Sequence, residues 1–300
     1  IAGWGVNPDN PLVSICCIAY NHESYIEDAL IGFLMQETNF PFEILIHDDA
    51  STDRTAQIIK YYEARYPALI KPIYQNKNQY SKGVKISFEY NFPRAKGKYI
   101  AMCEGDDFWT HPLKLQKQVY ILERDAGLSM SAHAVDFEFD GIEEDRKNYK
   151  IPETITGEFS QIVGTGVFIA LNSLVFRSSL MEYPSWLNGL NGGHKFILYL
   201  LASKGKFDYL NEKMAVKRRN PGGVTVSMKS EREKKYLDNN IFLLSKMKEI
   251  AGNKDHKAID KKLNSLFLRK AYRSMKRLCF RGFFAAAWMA ALTYIRTIKG

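Results

Sequence analysis

The chain has 300 residues, 46% hydrophobic and 25% charged, with a formal net charge of +9 at pH 7. This is ordinary globular usage with room for one large domain or two smaller ones, and it excludes a disordered or fibrous chain. The four cysteines, Cys16, Cys17, Cys103 and Cys279, form neither a disulfide framework nor a CxxC or Cys/His zinc spacing, so reduced thiols and a cytoplasmic compartment are expected. Residues 1–225 balance to −3 and residues 226–300 to +12, so all the excess positive charge sits in the tail. That shift sets a boundary near Val226, between a main domain at 11–225 and a basic helical region at 226–300. Residues 1–10 read as an N-terminal tail, short, uncharged at its start and broken by Pro8, and not as a signal peptide.

Leu12–Ala19 is a nearly continuous apolar run, the pattern of a strand buried on both faces. Ile26, Ala29, Leu30, Phe33 and Leu34 share one face of a helical period and predict a helix. Phe42–His47 predicts a second strand, which runs into Asp48-Asp49-Ala50-Ser51-Thr52-Asp53. Ser51, Thr52 and Asp53 can each cap a following helix that reaches Tyr66. Lys98–Cys103 predicts a third strand, ending in Glu104-Gly105-Asp106-Asp107. Pro112 suits the first turn of a helix that buries Leu115, Val119 and Leu122. Strands alternating with helices imply an α/β fold with a mainly parallel sheet covered on both faces. Asp136–Ser160 is polar, with a charge cluster at Glu143–Lys147, and reads as a long loop or short insertion.

The acids follow apolar strands directly, so Asp48/Asp49 and Glu104/Asp106/Asp107 fall at carboxyl ends of strands. In an open α/β sheet that is the edge where ligands bind. Carboxylates gathered there repel one another unless a cation or a donor-rich ligand compensates them. A hard divalent ion such as Mg²⁺ or Mn²⁺ bridging to phosphates is the simplest solution. Capping alone explains Asp53, and one acid of the Asp48/Asp49 pair can support its loop while the other faces the ligand. The chain has no GxxxxGK[ST] loop, no HExxH and no nucleophile elbow, and Gly164-Thr165-Gly166 lacks the third glycine of a dinucleotide fingerprint. These absences argue against a P-loop kinase, a serine hydrolase and a dehydrogenase.

Taken in order, Leu12–Asn21, Ile46–Asp53 and Ala95–Asp107 with Trp109, Pro112, Lys114 and Leu115 resemble the family 2 glycosyltransferases of the GT-A fold. The resemblance covers residues 11 to about 226 and is densest in the first 120. It implies a Rossmann-like three-layer GT-A fold with a C-terminal helical extension. It also implies inverting transfer of a sugar from a nucleotide diphosphate, typically a UDP-sugar, to an acceptor hydroxyl. On the same resemblance Ile18, Tyr20 and Asn21 lie in the loop under the nucleotide, with Ile18 where many relatives have proline. Asp48 and Asp49 lie at the base, with Asp49 accepting its hydrogen bond. Asp106 and Asp107 stand at the metal-holding DxD position, with Glu104 replacing its usual first Asp.

Family members place an Asp general base just before a helix in the second half of the domain, and the pattern puts His194 there. Neutral imidazole is a competent base near pH 7. The alternative for His194 is capping that helix or binding acceptor hydroxyls, and Asp136 is then the reserve base. Lys217–Gly223 resembles the family's YRxHxxG loop over the diphosphate. Arg218 matches its Arg, while Lys217 and Asn220 depart from its Tyr and His.

Between Lys261 and Arg281 there are eight Lys/Arg and no acids, interleaved with Leu263, Leu266, Phe267, Tyr272, Met275, Leu278 and Phe280. Such a tail suits an anionic membrane surface, and the apolar run after it is too short to span a bilayer. A transferase of surface polysaccharide or a lipid-linked acceptor, peripheral on the cytoplasmic face of the inner membrane, fits that reading. The alternative is a helical hairpin packed back on the catalytic domain through Phe283, Phe284 and Trp288. Nucleic acid is not expected, for want of a recognisable motif. Two other functions stay open: a sugar-nucleotide nucleotidyltransferase, and a non-catalytic membrane or nucleic-acid binding module on the same fold. The first of these would carry a glycine-rich basic loop after its first strand, where this chain has Ala19–Ser24.

Overall fold

The computed structural model describes residues 10–140, 156–165, 167–188, 190, 193–220, 230–276, 287–289 and 291. The elements run β1 (Val13–Ala19), α1 (Ile26–Leu34), β2 (Phe42–Asp48), α2 (Thr55–Arg65), β3 (Ile70–Tyr74), α3 (Phe92–Arg94), β4 (Tyr99–Met102), β5 (Phe108–Trp109) and α4 (Lys114–Arg124). They continue as β6 (Leu128–Phe139), β7 (Thr156–Gly157), β8 (Val175–Arg177), α5 (Gly193–Lys204), β9 (Lys206–Arg219), α6 (Ser230–Ile250) and α7 (Asn253–Lys276). One sheet orders the strands β3-β2-β1-β4-β8-β6-β9-β5, and β7 pairs with β9 beside that path. The contacts among β1 to β4 are parallel, as are those of β6 with β9. β8 runs antiparallel to both β4 and β6, joining the two parallel blocks into one α/β sheet.

Side-chain alternation builds the three layers. Val13, Ile15, Cys17, Ile44, Ile46, Tyr99 and Ala101 pack on one face with α1 residues Ile26, Leu30 and Phe33. Cys16, Leu45, Ile100 and Met102 enter the opposite core with Phe176, Phe196 and Phe207. A strand whose successive residues feed two cores must be apolar throughout, which is why these segments read as unbroken runs.

Three features depart from the sequence reading. The sequence reading lacks β3: it is an edge strand carrying Lys71 and Pro72, and only Ile70 of its five residues is buried, so it has no apolar run. Asp136–Phe139 belongs to β6, paired with Val216–Arg219, and is not loop; there burial alternates and so admits polar residues. Of the rest of that segment, Thr156–Gly157 is strand, while Glu143–Lys147 lies outside the described residues.

α6 and α7 pack against the main core through Leu237, Leu244, Met247, Ile259, Leu263 and Phe267. Leu268, Tyr272, Met275 and Trp288 are exposed, whereas Phe283 and Phe284 lie outside the described residues. Among the described residues no helix is long and apolar enough to cross a membrane. Cys16, Cys17 and Cys103 are buried free thiols, with burial raising the pKa of each.

Candidate active site

β4 delivers the second acidic turn to the carboxyl edge of the sheet. The turn is held against β1 by Cys103 N–H on the Cys16 carbonyl at 3.2 Å and Gly105 N–H on the Ile18 carbonyl at 2.9 Å. Gly105 is needed for that approach, because a Cβ there would lie 2.9 Å from both His22 Nδ1 and Ile26 Cδ1. β5 follows at once and pairs antiparallel with β9, Phe108 opposite Val216 and Trp109 opposite Ala215. Extending that register by one residue sets Asp107 opposite Lys217.

The contact is made. The Lys217 ammonium donates to Asp107 Oδ2 at 2.9 Å and lies 3.7 Å from Glu104 Oε2. The Arg218 backbone N–H donates to Asp107 Oδ1 at 2.8 Å, so the buried Asp107 has both oxygens engaged. Asn220 Nδ2 donates to Asp106 Oδ2 at 3.1 Å. Glu104, Asp106 and Asp107 offer oxygens within 4.8 Å of one another. Burial pushes the Asp107 pKa up to about 7 against the opposing charge of Lys217. Burial alone would lower the Lys217 pKa, yet Asp107 and Glu104 outweigh it and hold the lysine above its ordinary value. With Asp107 buried and bonded at both oxygens, half-exposed Glu104 and Asp106 are the carboxylates most open to a ligand. Two carboxylates, completed by phosphate oxygens and water, form a donor set that fits a hard divalent cation.

The first acidic turn is built differently. Asp49 is fully buried; its Oδ1 accepts the Gln79 N–H at 2.8 Å and its Oδ2 the Tyr80 N–H at 3.0 Å. His47 Nε2 lies 3.4 Å from the same Oδ1, and burial lowers the His47 pKa. Asp48 is buried as well: Oδ2 receives a 3.4 Å contact from the Ser51 N–H, while Oδ1 has no hydrogen-bond partner among the described residues. That burial raises its pKa. The N-cap of α2 is Arg54, which has no side-chain capping bond, so Asp53 is not the cap expected from the sequence; it stands one residue earlier and accepts the Thr55 N–H at 2.9 Å and the Glu23 N–H at 3.0 Å. Beside these acids Tyr20 is exposed. Asn21 has a positive φ of 54° and accepts the Thr52 N–H on its side chain at 2.8 Å.

The remaining candidates separate. The Arg218 side chain points away from the cluster, donating to Glu138 at 2.9 Å and Asp28 at 2.6 Å and lying 4.3 Å over the Phe108 ring. Asp136 is exposed and pairs with Lys213 at 2.5 Å, outside the acidic cluster. His194 stands in the first turn of α5, exposed to solvent but with protein close around its ring. Those surroundings, with the charges of Lys195 and Lys217, push its pKa down to about 4. Residues 221–223 of the glycine-containing loop lie outside the described residues. Lys217 was noted in the sequence only as a departure. Alternation along β9 carries the missed signal, because neighbours on a strand face opposite sides and only one of Lys217 and Arg218 can meet the cluster.

The profile described as Glycosyl transferase family 2 matches residues 14–183. The chain belongs to that family. An uncharacterised protein of Mycobacterium tuberculosis is 37% identical over 224 residues, 74% of this chain and 63% of that protein. The chain thus spans 63% of the length of its mycobacterial relatives. The Escherichia coli UDP-Glc:alpha-D-GlcNAc-diphosphoundecaprenol beta-1,3-glucosyltransferase WfaP is 35% identical over 113 residues, covering 37% of this chain and 41% of WfaP. Among solved structures, S. aureus TarS 1-349 with UDP-GlcNAc superposes with a TM-score of 0.60 at 13% identity, covering 91% of this chain and 90% of TarS. The mannosyltransferase PcManGT from Pyrobaculum calidifontis, with GDP-Man and Mn²⁺, gives 0.61 at 16% identity, covering 97% and 78%. The GT-A fold of these solved glycosyltransferases is therefore shared.

Proposed function

We propose that this family 2 glycosyltransferase moves a sugar, with inversion, from a UDP-sugar to a hydroxyl of a saccharide or lipid-linked acceptor. The observation that carries this reading is the pair of half-exposed carboxylates, Glu104 and Asp106, at the carboxyl edge of β4. TarS with UDP-GlcNAc and PcManGT with GDP-Man and Mn²⁺ support a nucleotide-sugar donor and a divalent ion. WfaP, whose name specifies a diphosphoundecaprenol acceptor, supports a lipid-linked acceptor. The exposed Leu268, Tyr272 and Met275 on the basic helix α7 suit contact with the anionic membrane holding such a lipid.

The chemistry asks for charge at one end of the bond and a base at the other. A divalent cation, Mn²⁺ or Mg²⁺, held by Glu104 and Asp106 would neutralise charge growing on the departing diphosphate. Tyr20, Asn21 and Asp48 hold the nucleoside, the unpartnered Asp48 Oδ1 being suited to an N–H of the base. Asp49 fixes the turn at Gln79–Tyr80 beneath it. His194 takes the proton of the acceptor hydroxyl. Its low pKa keeps it neutral at pH 7, and the anionic diphosphate raises its basicity once the donor is bound.

Calorimetry with UDP and GDP, each with and without Mn²⁺, tests the site, and hydrolysis of a nucleotide-sugar panel identifies the donor. Metal-dependent UDP binding that Asp106→Ala abolishes upholds the reading. Release of pyrophosphate from a nucleoside triphosphate would replace it with nucleotidyl transfer, and no nucleotide binding at all with a non-catalytic role.

A further inference from the structure

The acidic cluster already contains a cation that belongs to the chain. Lys217 Nζ sits 2.9 Å from Asp107 and 3.7 Å from Glu104, and its side chain is only 15% exposed. The β5–β9 register and two bonds to Asp107 hold it there, so it is built into the fold. The family's loop pattern has an uncharged Tyr at this place. Two consequences follow from elementary electrostatics. Asp107 spends one bond of each oxygen inside the protein and is the least available of the three to a metal, leaving Glu104 and Asp106 as the main donors. A metal arriving at those two also meets a fixed positive charge a few ångströms away, which weakens its binding unless further anions arrive with it.

We propose that Lys217 is a resident counter-cation that makes this a two-carboxylate metal site, loaded only by the divalent ion and a nucleoside diphosphate together. The inference rests on the donor site proposed above. The diphosphate supplies the missing oxygen ligands and the negative charge that offsets Lys217, so each partner binds weakly alone and tightly with the other. Charge counting agrees: three carboxylates, one ammonium and one divalent ion sum to zero. Without the ammonium the loaded cluster would remain negative and repel the diphosphate.

The test is Mn²⁺ binding to the full chain, read by electron paramagnetic resonance of free Mn²⁺, alone and with UDP or GDP. For the wild type we expect Mn²⁺ alone to bind at least about a hundredfold more weakly than Mn²⁺ with nucleotide. Lys217→Tyr, which installs the family's residue, and Lys217→Met should each tighten Mn²⁺ alone by about tenfold or more. The double variant Lys217→Met/Asp107→Asn, in which no buried charge is left unpaired, should lose that gain, because it depends on freeing the Asp107 carboxylate. Wild-type binding of Mn²⁺ alone as tight as with nucleotide overturns the proposal, and so does the absence of any gain in both single variants. A protein that binds neither UDP nor GDP under any metal condition fails the donor-site reading itself, a result distinct from the other two.

Discussion

The two acidic turns leave the same edge of the sheet on either side of β1, and their carboxylates are spent in opposite ways. After β2, Asp49 turns inward and is consumed by the backbone N–H groups of Gln79 and Tyr80. After β4, only the last acid, Asp107, turns inward; Glu104 and Asp106 stay at the surface of the cleft. The difference lies in the supply of donors. A carboxylate that meets two otherwise unpaired N–H groups becomes structure, since leaving those groups buried and unsatisfied costs more than fixing the acid. A carboxylate that meets a neighbouring carboxylate, a side-chain amide or an ammonium no nearer than 3.7 Å remains available to ligands. An acid at a strand end therefore marks a functional edge without saying which acid functions.

Substitution at both turns is the strongest way to break this contrast. Asp106→Ala should reduce turnover by at least about 10³-fold and abolish metal-dependent nucleotide binding, because the cation loses one of its two carboxylates. Its urea midpoint should stay near the wild type, as among the described residues the Asn220 amide is the group that loses a hydrogen-bond partner. Asp49→Ala should do the reverse, with a loss of about 3 kcal/mol in urea denaturation as two hydrogen bonds to a buried carboxylate are lost. Equal destabilisation by the two substitutions would erase the distinction.

The legibility of the sequence follows the same divide. The first half was readable because β1, β2 and β4 are buried on both faces and their acids follow without interruption. Edge strand β3 was not, since Pro72 and Lys71 conceal it. In the second half, β6 and β9 are long, half-exposed strands in which Asp136, Glu138 and Lys217 alternate with apolar residues, and Asp136–Phe139 accordingly read as loop. The acids of the site were legible as a group, but their division into structural and available ones was not. That division is set by N–H groups about 30 residues away from Asp49 and 110 from Asp107, which no local spacing reveals.

A third turn, at His194, sharpens the contrast through pH. A base must be unprotonated, so activity is present above its pKa and is lost as pH falls through it. In the free enzyme the His194 pKa is pushed down to about 4. The acid limb of kcat/KM for the donor should therefore lie near pH 4, and that of kcat higher, because bound diphosphate favours the imidazolium. His194→Asn should lower kcat by about a hundredfold, leave donor affinity within a few-fold, and remove the difference between the two limbs. If kcat is unchanged in that variant, the base lies elsewhere and Asp136 is next to be replaced.

The smallest expected effect concerns strain in the first turn. Ala50, directly after Asp49, has φ of 62°, a left-handed conformation that costs a residue with a Cβ roughly 1–2 kcal/mol. The turn tolerates it because Asp49 on one side and Ser51 on the other are fixed by their hydrogen bonds, Ser51 Oγ accepting the Asn21 N–H at 2.9 Å. Ala50→Gly removes the strain but returns about 0.5–1 kcal/mol of chain entropy to the unfolded state. The net expectation is a gain of about 0.5 kcal/mol, read as a small rise in the urea midpoint with no change in turnover. The sign is informative even at that size. A loss of stability would mean that the turn needs the rigidity of alanine more than it suffers from the strain, making the turn itself part of what holds Asp49 inward. In that case the two acidic turns would differ in backbone stiffness as well as in hydrogen-bond donors, and Ala50→Gly combined with Asp49→Ala should cost less than the sum of the single effects.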